Sequence, residues 1–510
     1  VVDGVRHRSG LAHPELVISR TQGAQSRHRR LHVVQGISGE SRTLKINDPD
    51  IDTLACALLE RVYYHERDGH FEAPVAPEED HVFSTLRRFR GKLLRRLGSA
   101  TPVSPEDFSQ MYTGRKRKIY ERAAEEYMTI GVRRSDAVSD AFVKCEKVPH
   151  NKAPRCIQPR KVVYNVGVGR YLKPIEHEVY QAIQSVFGSP SPIVVKGFNA
   201  AQTAEILHQK VERFTRPVMI GLDASRFDQH VSAAMLRWEH SIYNAMFRSE
   251  ELRRLLKWQI KNRGRGFCDD GMLKYKCEGR RFSGDMNTAL GNCLIMCAMI
   301  YAYAEEKGLK IDLANNGDDC VVFMEAEDEQ HFATGLDGWF EALGFVMTVE
   351  PTVTEYEKIE FCQAHPIRTG NGVVMCRNFD KAREKDTMIL NDVSSEAAYR
   401  KWLKAVGECG LAIASGVPVF QEMYSCYDRF GVKGKVHESV QFQSGFLFMG
   451  KGLHPRVTPV TEEARYSFFL AFGVSPDEQR ELEDYYAGLD LSGFEVEDAV
   501  LLEEIMTAPF

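Results

Sequence analysis

Leu309-Lys310-Ile311-Asp312-Leu313-Ala314-Asn315-Asn316-Gly317-Asp318-Asp319-Cys320-Val321-Val322-Phe323-Met324 is the stretch whose reading decides the fold. Two hydrophobic runs flank Asn316-Gly317, and Asn-Gly supplies the positive φ angles of a tight turn, so the segment predicts a β-hairpin. Asp318 and Asp319 then crowd at its tip. Two carboxylates about 4 Å apart repel by roughly 1 kcal/mol in water and roughly 4 kcal/mol at an effective dielectric near 20, so a partly buried acidic tip calls for a cation. Taken alone, the motif also reads as a solvated acidic turn.

Upstream, the apolar run 218–222 predicts a buried strand ending at Asp223, and Asp223 with Asp228 forms a D-x4-D pair across the following turn. Such a pair can place a metal ligand and a substrate-reading group in one cleft. Residues 286–304 predict a strongly apolar helix, with Asn287 or Thr288 placed to cap it. The loop entering it, Ser283-Gly284-Asp285-Met286-Asn287-Thr288-Ala289-Leu290-Gly291-Asn292, carries a glycine for close backbone approach and hydroxyl and amide groups able to read a ribose. Downstream, 346–349 and 359–363 are short strand candidates, and helical patterns such as 396–406 and 477–487 predominate beyond 378.

The chain has 510 residues, too many for one ordinary core, so several lobes or one large composite domain are expected. Its 66 basic and 71 acidic residues leave a net charge of −5, which by itself gives no sign of a nucleic-acid partner. The distribution says more. Residues 84–122 hold 11 Lys/Arg against 3 acids, and 477–504 hold 11 acids against Arg480 alone, a polyanion-facing region and an acidic tail. Residues 86–97 predict a helix with Leu86, Phe89, Leu93, Leu94 and Leu97 on one face and arginines and lysine on the other, either solvated or facing phosphate or a membrane surface. Arg115, Lys116, Arg117 and Lys118 lead into a second helix through Tyr127, open to RNA contact, a localisation signal or plain surface charge. Residues 1–80 lack sustained periodicity and read only as an extension. Twelve scattered cysteines without zinc spacing predict reduced thiols of an intracellular protein. The longest uncharged apolar segment, 290–304, is short of the roughly twenty residues of a membrane span, so none is expected. The opening Val1-Val2, without a signal peptide, predicts a processed, trimmed or read-through portion of something longer.

Taken in order, D-x4-D, S-G-x3-T-x3-N and G-D-D resemble motifs A, B and C of viral RNA-dependent RNA polymerases. Pro154-Arg155-Cys156-Ile157-Gln158-Pro159-Arg160, with Lys144 and Lys147 ahead of it, resembles the basic motif F, and Glu360-Phe361-Cys362-Gln363 resembles motif E. Gly169-Arg170-Tyr171-Leu172-Lys173-Pro174 and the stretch after Asn378 make the plant tombusvirus family, with its carmovirus-like members, the matching one. The resemblance implies an α+β right-hand polymerase with an antiparallel palm sheet and a largely helical thumb. It divides the chain into an N-terminal extension with a basic helix (1–125), fingers (126–215), a palm (216–364) with an inserted fingers segment at about 235–280, and a thumb with acidic tail (365–510).

It further implies RNA-directed RNA synthesis from nucleoside triphosphates on a single-stranded RNA template, by two-metal transfer with Mg2+ or substituting Mn2+ and primer-independent starts. Asp223 and Asp318 become the main metal ligands and Asp319 an auxiliary one. Asp228 and Asn292, helped by Ser283 or Thr288, read the ribose. Arg155 and Arg160 meet the triphosphate, Lys144 and Lys147 line the nucleotide entrance, and Gly284, Phe361, Cys362 and Gln363 contact RNA. No lysine occupies the motif D place after Phe345, and Lys358 flanks motif E, so the general acid is unassigned. A viral auxiliary replication protein and host factors are implied partners, in membrane-associated complexes of the host cytoplasm reached through a missing segment or a partner. A catalytically silent RNA-binding subunit and a reverse transcriptase are the rival readings. Asp269-Asp270-Gly271 lacks a leading apolar strand and is set aside as a metal site.

Overall fold

The computed structural model describes residues 1–38, 42–390, 393–434 and 446–494. Part of the expected acidic tail, 495–510, lies outside them. The architecture is mixed α+β. At its centre is a four-stranded antiparallel sheet in the order Asp312–Asn316, Asp319–Glu325, Pro217–Ala224, Met347–Val349. Its side chains alternate with the period of two that a strand imposes. Val218, Ile220, Leu222 and Ala224, with Leu313, Cys320, Val322 and Met324, pack into one core. Met219, Ala314, Val321 and Phe323 pack into a second core on the opposite face. The sheet is therefore covered on both sides, which is why its strands read as continuous apolar runs.

The helix Thr288–Glu306 fills the first core, with every residue from Leu290 to Ile300 buried. It differs from its expectation in two ways. Asn287 stands at the N-cap position without capping, because its amide is drawn sideways to Glu239 and Gln259. At 19 residues it is also the one described helix long and apolar enough to cross a membrane; here that apolarity serves the protein's own core. The second core is closed by the helices Glu396–Ala414 and Phe420–Phe430.

Two strand expectations shift. Asn316 pairs with Asp319, so the hairpin loop is Gly317-Asp318 and only Gly317 takes the left-handed φ, +73°. The candidate strand at 359–363 is instead a turn ahead of the hairpin Ala364–Thr369/Gly372–Arg377.

The first 80 residues are no appendage. Leu16–Arg20 adds a strand to the hairpin Lys261–Cys268/Gly271–Glu278. Val2–Asp3 and Arg30–Val33 make a small sheet with Met388–Ile389. Strands of two to five residues with partners hundreds of positions away carry too few alternations to be read locally. Asp269 and Asp270 form the tip of the Lys261–Glu278 hairpin, where Asp269 pairs with Arg27 and Asp270 accepts the Ile51 N–H. Among the described residues no disulfide joins any of the cysteines.

Candidate active site

The site sits at the end of the central sheet. Strand register sets Asp223 directly opposite Asp319, and Asp318 occupies the adjoining loop. Opposed residues of an antiparallel pair project to one face with Cβ atoms about 4.5–5.5 Å apart, so backbone pairing alone brings the two carboxylates together. Burial and its acidic neighbours Asp318, Glu350 and Asp223 push Asp319 up to about 7, although the Cys362 N–H donates to its Oδ2 at 2.9 Å. Burial and Asp223 also raise Asp318. Glu350 joins this set from just past the neighbouring strand Met347–Val349, lying so close over Gly221 that a Cβ there would strike its carboxylate. Among the described residues no three Asp, Glu, His or Cys side chains are gathered tightly enough to hold a metal by themselves. An open set of hard carboxylate oxygens nevertheless suits Mg2+, which takes one or two protein ligands and completes its shell with water and phosphate oxygens.

Asp228 follows the turn after Asp223, in which Arg226 takes a left-handed φ of +48°. Burial pushes the Asp228 carboxyl up to about 6, and Asn292 Nδ2 donates to its Oδ1 at 3.0 Å. The two expected ribose readers are thus already hydrogen-bonded to each other. Exposed Ser283 accepts weakly from the Gln158 N–H at 3.4 Å, and Thr288 Oγ1 donates to the Phe282 carbonyl at 2.7 Å, closing its own loop. Gly284 packs against Pro159, within 2.7 Å of where a Cβ would stand.

The basic residues expected at the nucleotide divide sharply. Arg155 is exposed, paired with Glu146 through Nε at 2.7 Å, and its charge reaches Asp228 and Asp318. Lys144 reaches the same Glu146 at 3.3 Å. Arg160 is a correction: its buried guanidinium grips Asp285 at 2.6 and 3.1 Å and also bonds the Ala137 carbonyl and Asn262, so it is not available to a triphosphate. It clamps the 155–160 segment onto the loop before the long helix. Lys147 is a second correction. Its Nζ donates to the Lys385 and Met388 carbonyls at 2.6 and 2.7 Å, fastening two distant segments instead of lining an entrance.

Phe361 is buried, while Cys362 and Gln363 form an exposed two-residue turn with φ of +54° and +58°. Non-glycine residues held there are strained, and the bond from Cys362 N–H to Asp319 helps to fix them. Arg115, Lys116 and Lys118 are exposed on the helix Gly114–Ile130, while Arg117 pairs with Glu121.

Other groups had no local signal. Lys196 donates to Asn316 Oδ1 at 2.7 Å and its charge reaches Asp318. Arg61, from the N-terminal region, is held down to about 10 by burial and by Arg226 and Arg155. The Glu146 carboxylate, paired with Arg155, partly offsets this repulsion on Arg61. Arg281 and Glu239 form a buried ion pair behind Asn292.

A family described as viral RNA dependent RNA polymerase matches residues 17–493. The RNA-directed RNA polymerase of Turnip crinkle virus is 42% identical over 473 residues, covering 91% of this chain and 60% of that protein. Those of Tobacco necrosis virus (strain A) and Oat chlorotic stunt virus are 38% and 39% identical over 96% and 97% of the chain, which spans 67% and 68% of their lengths. The matched region includes the paired aspartates, the Asp228–Asn292 pair and the Arg155 segment, and on these grounds the chain belongs to the viral RNA-dependent RNA polymerase family, in its tombusvirus-like branch.

Proposed function

We propose that this chain copies a single-stranded RNA template into RNA from nucleoside triphosphates, replicating a positive-strand RNA virus genome with primer-independent starts. The observation that carries this reading is the pairing of Asp223 with Asp319 beside the Asp318 loop. The residues fit a right hand, with fingers at 126–215 and about 235–280, palm at 216–364 and thumb from 365.

Asp223 and Asp318, supported by Asp319, would hold Mg2+ or Mn2+. Such ions, when bound, stabilise the attacking and departing oxygens of a nucleotidyl transfer. The chain's own groups bind and orient. Arg155, close to both Asp228 and Asp318, grips phosphate bidentately once it leaves Glu146. Asp228 and Asn292 meet the 2′-hydroxyl, the group that separates RNA from DNA precursors. The Cys362-Gln363 turn, tied to Asp319, supports the growing strand beside the carboxylates. Template and nascent RNA are the direct partners. A viral auxiliary protein and host factors would bring the activity to membrane-associated complexes in the host cytoplasm, a reading supported by the family resemblance.

The purified chain, given labelled UTP, the other triphosphates, Mg2+ and an RNA template, is expected to incorporate label, and Asp318→Asn to lower incorporation by on the order of 100-fold or more. Equal incorporation by Asp318→Asn would overturn the metal-ligand assignment. Template binding without incorporation would mark a silent RNA-binding subunit, and preference for TTP over UTP a reverse transcriptase.

A further inference from the structure

Asn292 has two faces, and both are occupied. Its Nδ2 donates to Asp228 at 3.0 Å, while its Oδ1 accepts from Arg281 Nε at 2.8 Å. An amide is nearly symmetric in shape, so its neighbours decide which end faces the ribose pocket. Arg281 has only donors to offer, and it therefore fixes the oxygen inward and the NH2 toward Asp228. The guanidinium is held in turn. Its Nη2 pairs with Glu239, whose other oxygen accepts from Tyr243 Oη at 2.7 Å and Asn287 Nδ2 at 2.8 Å. Arg281, Glu239 and Asn287 are all at most 2% exposed. Gly291, next to Asn292 on the helix, leaves the room: a Cβ there would collide with Arg281 Nη2 and the Glu239 carboxylate. Meanwhile Arg281 Nη1 is buried without a hydrogen-bond partner.

We propose that Arg281, held by Glu239 and given space by Gly291, is the positioning residue that locks Asn292 in the orientation needed to select ribonucleotides over deoxyribonucleotides. The proposal rests on the polymerase reading and deepens it at the ribose-reading pair. Arg281 is buried behind Asn292 and acts through it, while its charge also draws down the Asp228 carboxyl that burial raises.

The test measures kcat and KM for UTP and for dUTP with the full chain on an RNA template. Arg281→Lys keeps a positive charge beside Glu239 but lacks the Nε–H in a rigid fork, so it cannot serve both partners. Its UTP-over-dUTP efficiency ratio is expected to fall on the order of tenfold where the variant remains folded. Gly291→Ala, which presses on the pair without deleting it, is expected to shift the ratio in the same direction. The double variant Glu239→Gln/Arg281→Met removes both charges together, which keeps the core neutral if the lysine variant does not fold, and is expected to lose the same discrimination. An unchanged ratio in the folded variants, with both substrates slowed equally, would show a purely structural ion pair and overturn the proposal. Absence of UTP incorporation by the unaltered chain would instead overturn the polymerase reading on which it stands.

Discussion

Single buried carboxylates dominate the electrostatics of the site, and their protonation has a sign that can be checked. Asp319 is raised from 3.8 to about 7 by burial and by the neighbouring carboxylates. Between about pH 4 and pH 7 the folded chain therefore holds a proton that the unfolded chain has released. Stability from this group is full below about pH 4 and is lost as the pH rises through 7. Asp319→Asn retains an oxygen for the Cys362 N–H and has no charge to bury. In metal-free buffer at pH 8 it is expected to be more stable than the unaltered chain by on the order of 2 kcal/mol, less than the full shift gives because the site is partly open to water. The gap should close as the pH is lowered toward 4. Thermal melting at both ends of this range decides it, and an Asp319→Asn melting temperature no higher than that of the unaltered chain at pH 8 would contradict it. Adding Mg2+ at pH 8 should raise the melting temperature of the unaltered chain more than that of the variant, since binding to the folded state alone stabilises it.

At the scale of elements, the site depends on how one loop seats on another. The loop at 283–287 touches the 155–160 segment through the Arg160–Asp285 clamp and through the bare Cα of Gly284. A methyl group on Gly284 would stand 2.7 Å from Pro159 Cα and 2.9 Å from the Gln158 carbonyl oxygen, backbone atoms that cannot rotate aside. Gly284→Ala is accordingly expected to cost about 1–3 kcal/mol in denaturant unfolding and to lower RNA synthesis along with it. Stability and synthesis both unchanged would mean that the two loops part freely. The long helix shows the same dependence on packing: Asn287 sits where a cap is expected, yet the buried Glu239 and Gln259 claim its amide.

Over the whole molecule, segments hundreds of residues apart are stitched together. Glu384, on the helix Phe379–Asp386, accepts from Thr43 N–H at 2.6 Å and Leu44 N–H at 3.1 Å as well as from the Thr43 hydroxyl. Lys147 fastens the next segment to the Lys385 and Met388 carbonyls. Glu384→Ala leaves those backbone donors unpaired, at about 1–3 kcal/mol for each that stays buried, and is expected to speed proteolytic cleavage within residues 42–50. Cleavage at the unaltered rate would show that the stitch carries no load. The central hairpin, the strand ending at Asp223, the apolar helix and the order of the acidic motifs were legible in the sequence, because alternation, turn chemistry and helical periodicity are written among near neighbours. Arg155 and Arg160 lie five positions apart in one basic motif with identical side chains, yet one faces the aspartates and the other is buried on Asp285. Nothing local separates them. The sequence by itself determined which segments become strands and, through the resemblance of its ordered motifs, which carboxylates were expected to meet, because alternation and turn chemistry are local; only the tertiary structure decided the register that sets Asp223 against Asp319 and which cations answer them, because a charge is neutralised by whatever group packing brings within a few ångströms, however distant along the chain.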